Sequence, residues 1–181
     1  MNIFVTDNDP VVSAINLCDQ HARSKMIIES CIMLQNAFSQ DSLSHDSCPR
    51  TKTGRVRRRG KGYAKHQCTL WTIESQANFE WLLEHALAMV DERNFRWPNS
   101  PEHFSVSFLK WCKENRYNTI VERKSLTPFT VAISQDSNCR QIKDFNNLSV
   151  IDQYRQYIIH DKDFATWTKR KVPFWYKNKF G

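Results

Sequence analysis

Apolar residues recur every three or four positions through much of this chain, and that period predicts helices. Asp9-Pro10 is a start signal, with Asp as N-cap and Pro at the first helical position. From there a helical pattern runs to about Phe38, with a break near Asp19. Ile27, Cys31, Leu34 and Phe38 form its stripe, and Ile28 and Ile32 widen it. The "MNIFV" stretch ahead of it is apolar and extended or strand-like. A second helical pattern covers Thr72 to Phe95, with Phe79, Leu82, Leu83, Ala86 and Val90 on one face, and Pro98 ends it. Ser100-Pro101-Glu102 opens a third, carrying Phe104, Phe108, Trp111 and Cys112. A fourth runs from Ser149 to about Asp161 through Ile151, Tyr154, Ile158 and Ile159. Residues 116 to 147 read as irregular, with a turn at "LTPF", and a short turn falls at "DFATW". There is little strand signal and no internal repeat. The expectation is a mainly α, single-domain fold over residues 1 to 181.

Composition agrees with that reading. A chain of 181 residues that is 40% hydrophobic and 12% aromatic can build a core and is not of disordered type. Four Gly and six Pro argue against a turn-rich all-β fold. The start has acids at Asp7 and Asp9 and no secretory pattern, and no apolar run is long enough to span a bilayer. A soluble, cytoplasmic protein with no membrane partner is expected. The six Cys show no CxxC spacing and read as reduced thiols. Cys48, His66 and Cys68 fit no standard zinc spacing, so no metal is expected.

Charge changes the picture more. The formal charge is +7, which suits a polyanionic partner. Residues 39 to 65, "SQDSLSHDSCPRTKTGRVRRRGKGYAK", form a long polar and then basic loop. Between Arg50 and Lys65 there are eight Lys or Arg and no acid. Such a run repels itself unless something neutralises it, and phosphates would. Arg55, Arg57, Arg58, Arg59, Lys61 and Lys65 are the candidate contacts, joined by Arg23 and His66. A solvated loop and another anionic partner are the alternatives. The tail adds Lys169, Arg170, Lys171, Phe174, Trp175, Tyr176, Lys177, Lys179 and Phe180, and cations among aromatics suit phosphates and bases. In the alternative, Phe174 and Trp175 pack down and pin the C-terminus, leaving Tyr176 and Lys177 as the exposed half.

One strip of the first helix carries candidate chemistry. His21, Lys25 and Glu29 follow an i, i+4, i+8 row at the edge of the apolar face. An ion pair at the rim of the core, with His21 capping or hydrogen-bonded, accounts for it structurally. Chemically, a carboxylate among apolar groups can shuttle protons, a partly desolvated lysine can attack an electrophilic carbon, and His21 can orient either.

The stretch "NIFVTDNDPVVSAINLCDQHARSKMIIES" resembles phage-type pyrimidine-dimer DNA glycosylases, the endonuclease V type, and their bacterial and uncharacterised phage relatives. The likeness continues at "KHQCTLW", at the helix end "DERNF" and at "PFWYKNKF". Asp19, Gln20, His21 and Glu29 match the family's order, and Glu29 corresponds to its catalytic glutamate. The resemblance implies a phage-encoded enzyme acting on double-stranded DNA in the host cytoplasm, with no cofactor. The family's type enzyme uses a processed N-terminal amine that attacks the sugar C1′, forms a Schiff base and cuts the strand by β-elimination. Here residue 2 is Asn, which disfavours removal of Met1, so the nucleophile is the Met1 amine or Lys25, or the lyase step is absent. A DNA-base-modifying transferase of the same fold and a non-catalytic nucleic-acid-binding or host-inhibiting protein are the rival expectations.

Overall fold

The computed structural model describes residues 2–61 and 63–177. Met1, Lys179 and Phe180 lie outside the described residues. The helices run α1 (Pro10–Asn16), α2 (Asp19–Ala22), α3 (Lys25–Leu34), α4 (Gln40–Ser44), α5 (Gln67–Glu74), α6 (Gln76–Arg96), α7 (Val106–Glu114), α8 (Val150–Asp161) and α9 (Phe174–Lys177). Among the described residues there is no strand, and no helix is long and apolar enough to cross a membrane.

The 21 residues of α6 span roughly 30 Å and form the axis of the fold. Ser75 starts α6 by accepting a hydrogen bond from the Asn78 amide at 3.1 Å. Phe79, Leu82, Leu83, Ala86, Met89 and Val90 turn inward against α1, α3, α5 and α7. Ile27, Cys31, Leu34 and Phe38 meet them as the expected stripe, and all four are buried. Two of the local start signals hold: Asp9 accepts from the Val11 and Val12 amides at 2.8 and 2.9 Å, and Ser149 from that of Asp152 at 3.1 Å.

Several elements differ from expectation. The first helix is three pieces. Leu17 and Cys18 are extended because the Asp19 amide donates to the Thr166 carbonyl at 2.8 Å instead of continuing the helix. The second break, at Ser24, faces His103. His103 Nδ1 accepts from the Ser105 amide at 3.3 Å, which leaves Nε2–H to donate to Ser24 Oγ at 2.9 Å. That turn also delays α7, which begins at Val106 rather than near Pro101 and leaves Phe104 outside it. The 72–95 pattern is two helices, parted at an extended Ser75. The loop expected over 39–65 begins with the short helix α4. The N-terminal stretch, by contrast, is extended as expected and buried through Ile3, Phe4 and Val5, with Phe4 left-handed at φ 55°.

At the end of α6 a buried ionic network ties the halves of the chain. Arg96, fully buried, pairs with Glu92 one turn earlier and donates to Asp19 at 3.0 Å and to the Ile15 carbonyl at 2.9 Å. Arg170 grips Glu92 from the tail at 2.7 and 2.9 Å. Burial works to raise the Asp19 carboxyl, but hydrogen bonds from Thr168, Thr166 and Arg96 outweigh it and hold it below the usual range.

The tail closes a second apolar cluster of Cys18, Ile158, Ile159, Trp167, Trp175 and Tyr176. This corrects the expected division of the tail aromatics. Tyr176 is buried: its ring packs 4.7 Å from that of Trp167 and its hydroxyl donates to the Lys162 carbonyl at 3.1 Å. Phe174 is the aromatic left in water, at 71% exposure, while Lys177 is exposed. Tyr176→Ala and Trp175→Ala are therefore both expected to lower stability, by about 3 kcal/mol or more each. Thermal melting of the two variants checks this; an unaltered melting temperature for Tyr176→Ala would return it to the nucleic-acid surface.

Candidate functional site

Glu29 lies on α3 at the wall of a cleft of about 300 Å³. Phe4, in the left-handed region, comes two residues after Asn2, which lies at that wall. There the Asn2 backbone N–H donates to Glu29 Oε2 at 3.0 Å, and the Asn2 side chain is fastened to the Ala132 carbonyl at 2.9 Å. Lys25, one turn before Glu29, brings Nζ to 3.9 Å from Oε1. The Glu29 side chain is only 12% exposed. The cleft thus gathers a mostly buried carboxylate, an amine and the second residue of the chain.

His21 lines the same cleft but not as the third member of a helical row. It belongs to α2, and the break at Ser24 separates it from Lys25. Its ring is buried, stacked at 4.2 Å on Phe4, with Nδ1 3.7 Å from Cys18 Sγ. Burial, with Lys162 and Lys25 nearby, pulls its pKa down to about 4. His21 is therefore neutral near pH 7 and cannot hold phosphate as a cation. Lys25 also departs from expectation. Its side chain is 78% exposed, so the desolvation invoked for it is absent, and its nearness to Glu29 is what remains. Lys162, Ser134, Ser137 and Tyr157 complete the cleft and were not singled out from the sequence. They come from the end of α8 and the irregular segment before it, and no local pattern marks them.

The basic loop is laid down on the ends of α3 and α4. Gln35 donates to the Arg58 carbonyl at 3.2 Å, Gln40 to the Arg57 carbonyl at 3.1 Å, and the Gly60 amide to Asn36 Oδ1 at 2.9 Å. Gly60 takes φ 74°, a conformation that other residues adopt at a cost. Arg55, Arg58, Lys61 and Lys65 are exposed, as are Arg59 and Arg23. Arg59 Nε is engaged by the Asn36 carbonyl at 3.3 Å, and Arg23 lies 5.5 Å from the centre of the Trp97 ring. Arg57 is a correction. It is buried, with Nε bonded to the Pro49 carbonyl at 3.0 Å and its guanidinium 3.7 Å over the Phe108 ring, so it holds the loop rather than a partner. His66 caps α5 by accepting from the Cys68 amide at 3.2 Å, and burial lowers its pKa, so it too acts first on the fold.

A split between the arginines follows. Neutralising Arg55, Arg58 and Lys61 together is expected to weaken duplex binding and reduce its salt slope by about three at most, with melting unchanged. Arg57→Ala should instead lower the melting temperature. Anisotropy titrations at several salt concentrations, alongside thermal melts, read both; an unchanged slope in the triple variant removes the loop from DNA binding.

The six thiols are buried and unbridged, and among the described residues no three His, Cys, Asp or Glu converge to hold a metal. No protein-family model, curated protein or solved structure matches the chain.

Proposed function

We propose that this protein processes DNA at a base or its glycosidic bond, with glycosylase and AP-lyase chemistry of the kind its sequence resembles in the endonuclease V type. The observation that supports this reading is the Glu29 cleft, where the carboxylate lies 3.0 Å from the nitrogen of residue 2 and 3.9 Å from the Lys25 amine. An amine beside a carboxylate suits imine chemistry at a sugar. The amine lone pair forms a bond to C1′, and the C1′–base bond breaks with its electrons leaving on the base. Glu29 takes the amine's proton or stabilises positive charge developing on the sugar. The exposed loop cations hold the duplex.

Borohydride trapping on abasic-site and damaged duplex, with peptide mapping of the cross-link, tests this. The expected product is an adduct at Lys25 or at the chain's first amine, absent in Glu29→Gln. Failure to trap on every substrate removes the lyase step, and a mass gain on DNA bases would favour group transfer instead. A second reading, a non-catalytic nucleic-acid-binding or host-inhibiting protein, draws on one observation. Both Glu29 oxygens are already engaged, by Asn2 and by Lys25, as in a clasp for the chain's start. Under it Glu29→Gln alters stability and no reaction.

A further inference from the structure

Where the basic loop folds back over α3 it leaves an open cleft of about 800 Å³, within the range of small-molecule sites. This cleft shares no lining residue with the one at Glu29. Its floor is apolar, from Ile28 and Ile32 of α3, and the Phe104 ring, 40% exposed, stands at its side. Lys52, Arg55, Arg58 and Lys61 line it from the loop, all exposed, and no carboxylate lines it. Among the described residues none of these four cations has an ion-pair partner. Lys52 alone is otherwise engaged, 5.5 Å from the centre of the Phe104 ring.

An apolar floor beside uncompensated cations asks for a ligand with a flat apolar body and more than one negative charge at one end. A fatty acid brings one charge, and an acidic peptide brings single carboxylates spread along its backbone rather than several charges gathered at one end. A nucleotide brings both, since every base has a face that stacks on aromatic and apolar groups while its phosphates meet Arg and Lys. We propose that this cleft is a nucleotide site, with an unpaired base on Ile28, Ile32 and Phe104 and phosphate on Arg55, Arg58 and Lys61. The site goes beyond the Glu29 chemistry and does not depend on it.

The test uses the full chain and four probes titrated by calorimetry. dATP is compared with tripolyphosphate, which has the charge without the base. A DNA hairpin with one extrahelical adenosine is compared with the fully paired hairpin. In at least one pair the base-bearing probe is expected to bind about tenfold more tightly than its control. Ile32→Trp, which fills the floor, should erase that advantage, and Phe104→Ala should reduce it if the Trp variant fails to fold. Arg55→Ala with Arg58→Ala should weaken every probe. Glu29→Gln, whatever it does to duplex affinity as a whole, should leave the advantage within each pair unchanged, because the two clefts share no lining residue, so a failure of the proposed catalysis does not touch this result. An advantage for dATP assigns a free nucleotide, and one for the bulged hairpin alone assigns a nucleotide within a strand. Equal binding within both pairs, or an advantage that survives both floor variants, would overturn the site and leave a charged loop.

Discussion

Arg96→Met is expected to destabilise the protein by about 3–5 kcal/mol. At this chain length that corresponds to a fall in melting temperature of roughly 6–20 °C. Methionine keeps much of the side-chain volume, so the loss comes from charge rather than from a cavity. Among the described residues Arg96 is the one donor that Glu92 and Asp19 share, and its removal leaves a 2%-exposed Glu92 carboxylate with Arg170 as its remaining described partner. It also frees the Ile15 carbonyl that Arg96 ties down at 2.9 Å, where α1 ends. Arg170→Ala is the comparison. Its side chain is 32% exposed and Glu92 keeps Arg96, so its cost should be about 1 kcal/mol. Chemical denaturation of both variants measures the difference. Equal and small losses would mean that the network adds nothing the surrounding apolar contacts do not already supply.

Under the proposed glycosylase chemistry, Glu29→Gln is expected to reduce turnover on an abasic or damaged duplex by about two orders of magnitude or more, while the fold persists. Glutamine keeps the shape and can still accept the Asn2 N–H, so the chain's start stays in place. What it loses is the negative charge and the ability to take a proton. Duplex affinity should hold or rise, because a carboxylate near the phosphates is gone. Lys25→Ala belongs beside it, since Lys25 is exposed and its loss should not disturb the core. The measurements are melting temperature, duplex affinity and product formation for each variant. A folded Glu29→Gln protein with full turnover sinks the catalytic role and leaves the clasp as the better account.

How much of this was legible in the chain depends on how local each signal is. Asp9 with Pro10, Pro98 and Ser149 mark helix ends correctly because capping and proline geometry act within a turn of the backbone. The stripe Ile27, Cys31, Leu34, Phe38 was legible for the same reason, since a 3.6-residue period needs no knowledge of the partner face. Glu29 and Lys25 were legible as neighbours because they share one helix turn.

The rest required distant residues. His21 left the row because the Ser24 break faces His103, and the break before it answers Thr166, both far along the chain. Asn2 and Lys162 reach the Glu29 cleft only through tertiary packing. Arg57 looks like Arg55 and Arg58 in the sequence, yet one guanidinium is buried over Phe108 while the other two stay in water. Tyr176 likewise turned inward onto Trp167 and left Phe174 outside. Sequence by itself determined the helical class, the helix ends marked by Pro10, Pro98 and Ser149, the core stripe, the acid-free loop and the Lys25–Glu29 pair. Only the tertiary structure decided which cations remain free, which aromatics are exposed and what stands opposite Glu29. The physical reason is range: propensity and capping act over about four residues, whereas burial of any one side chain is set by whichever segment packs over it.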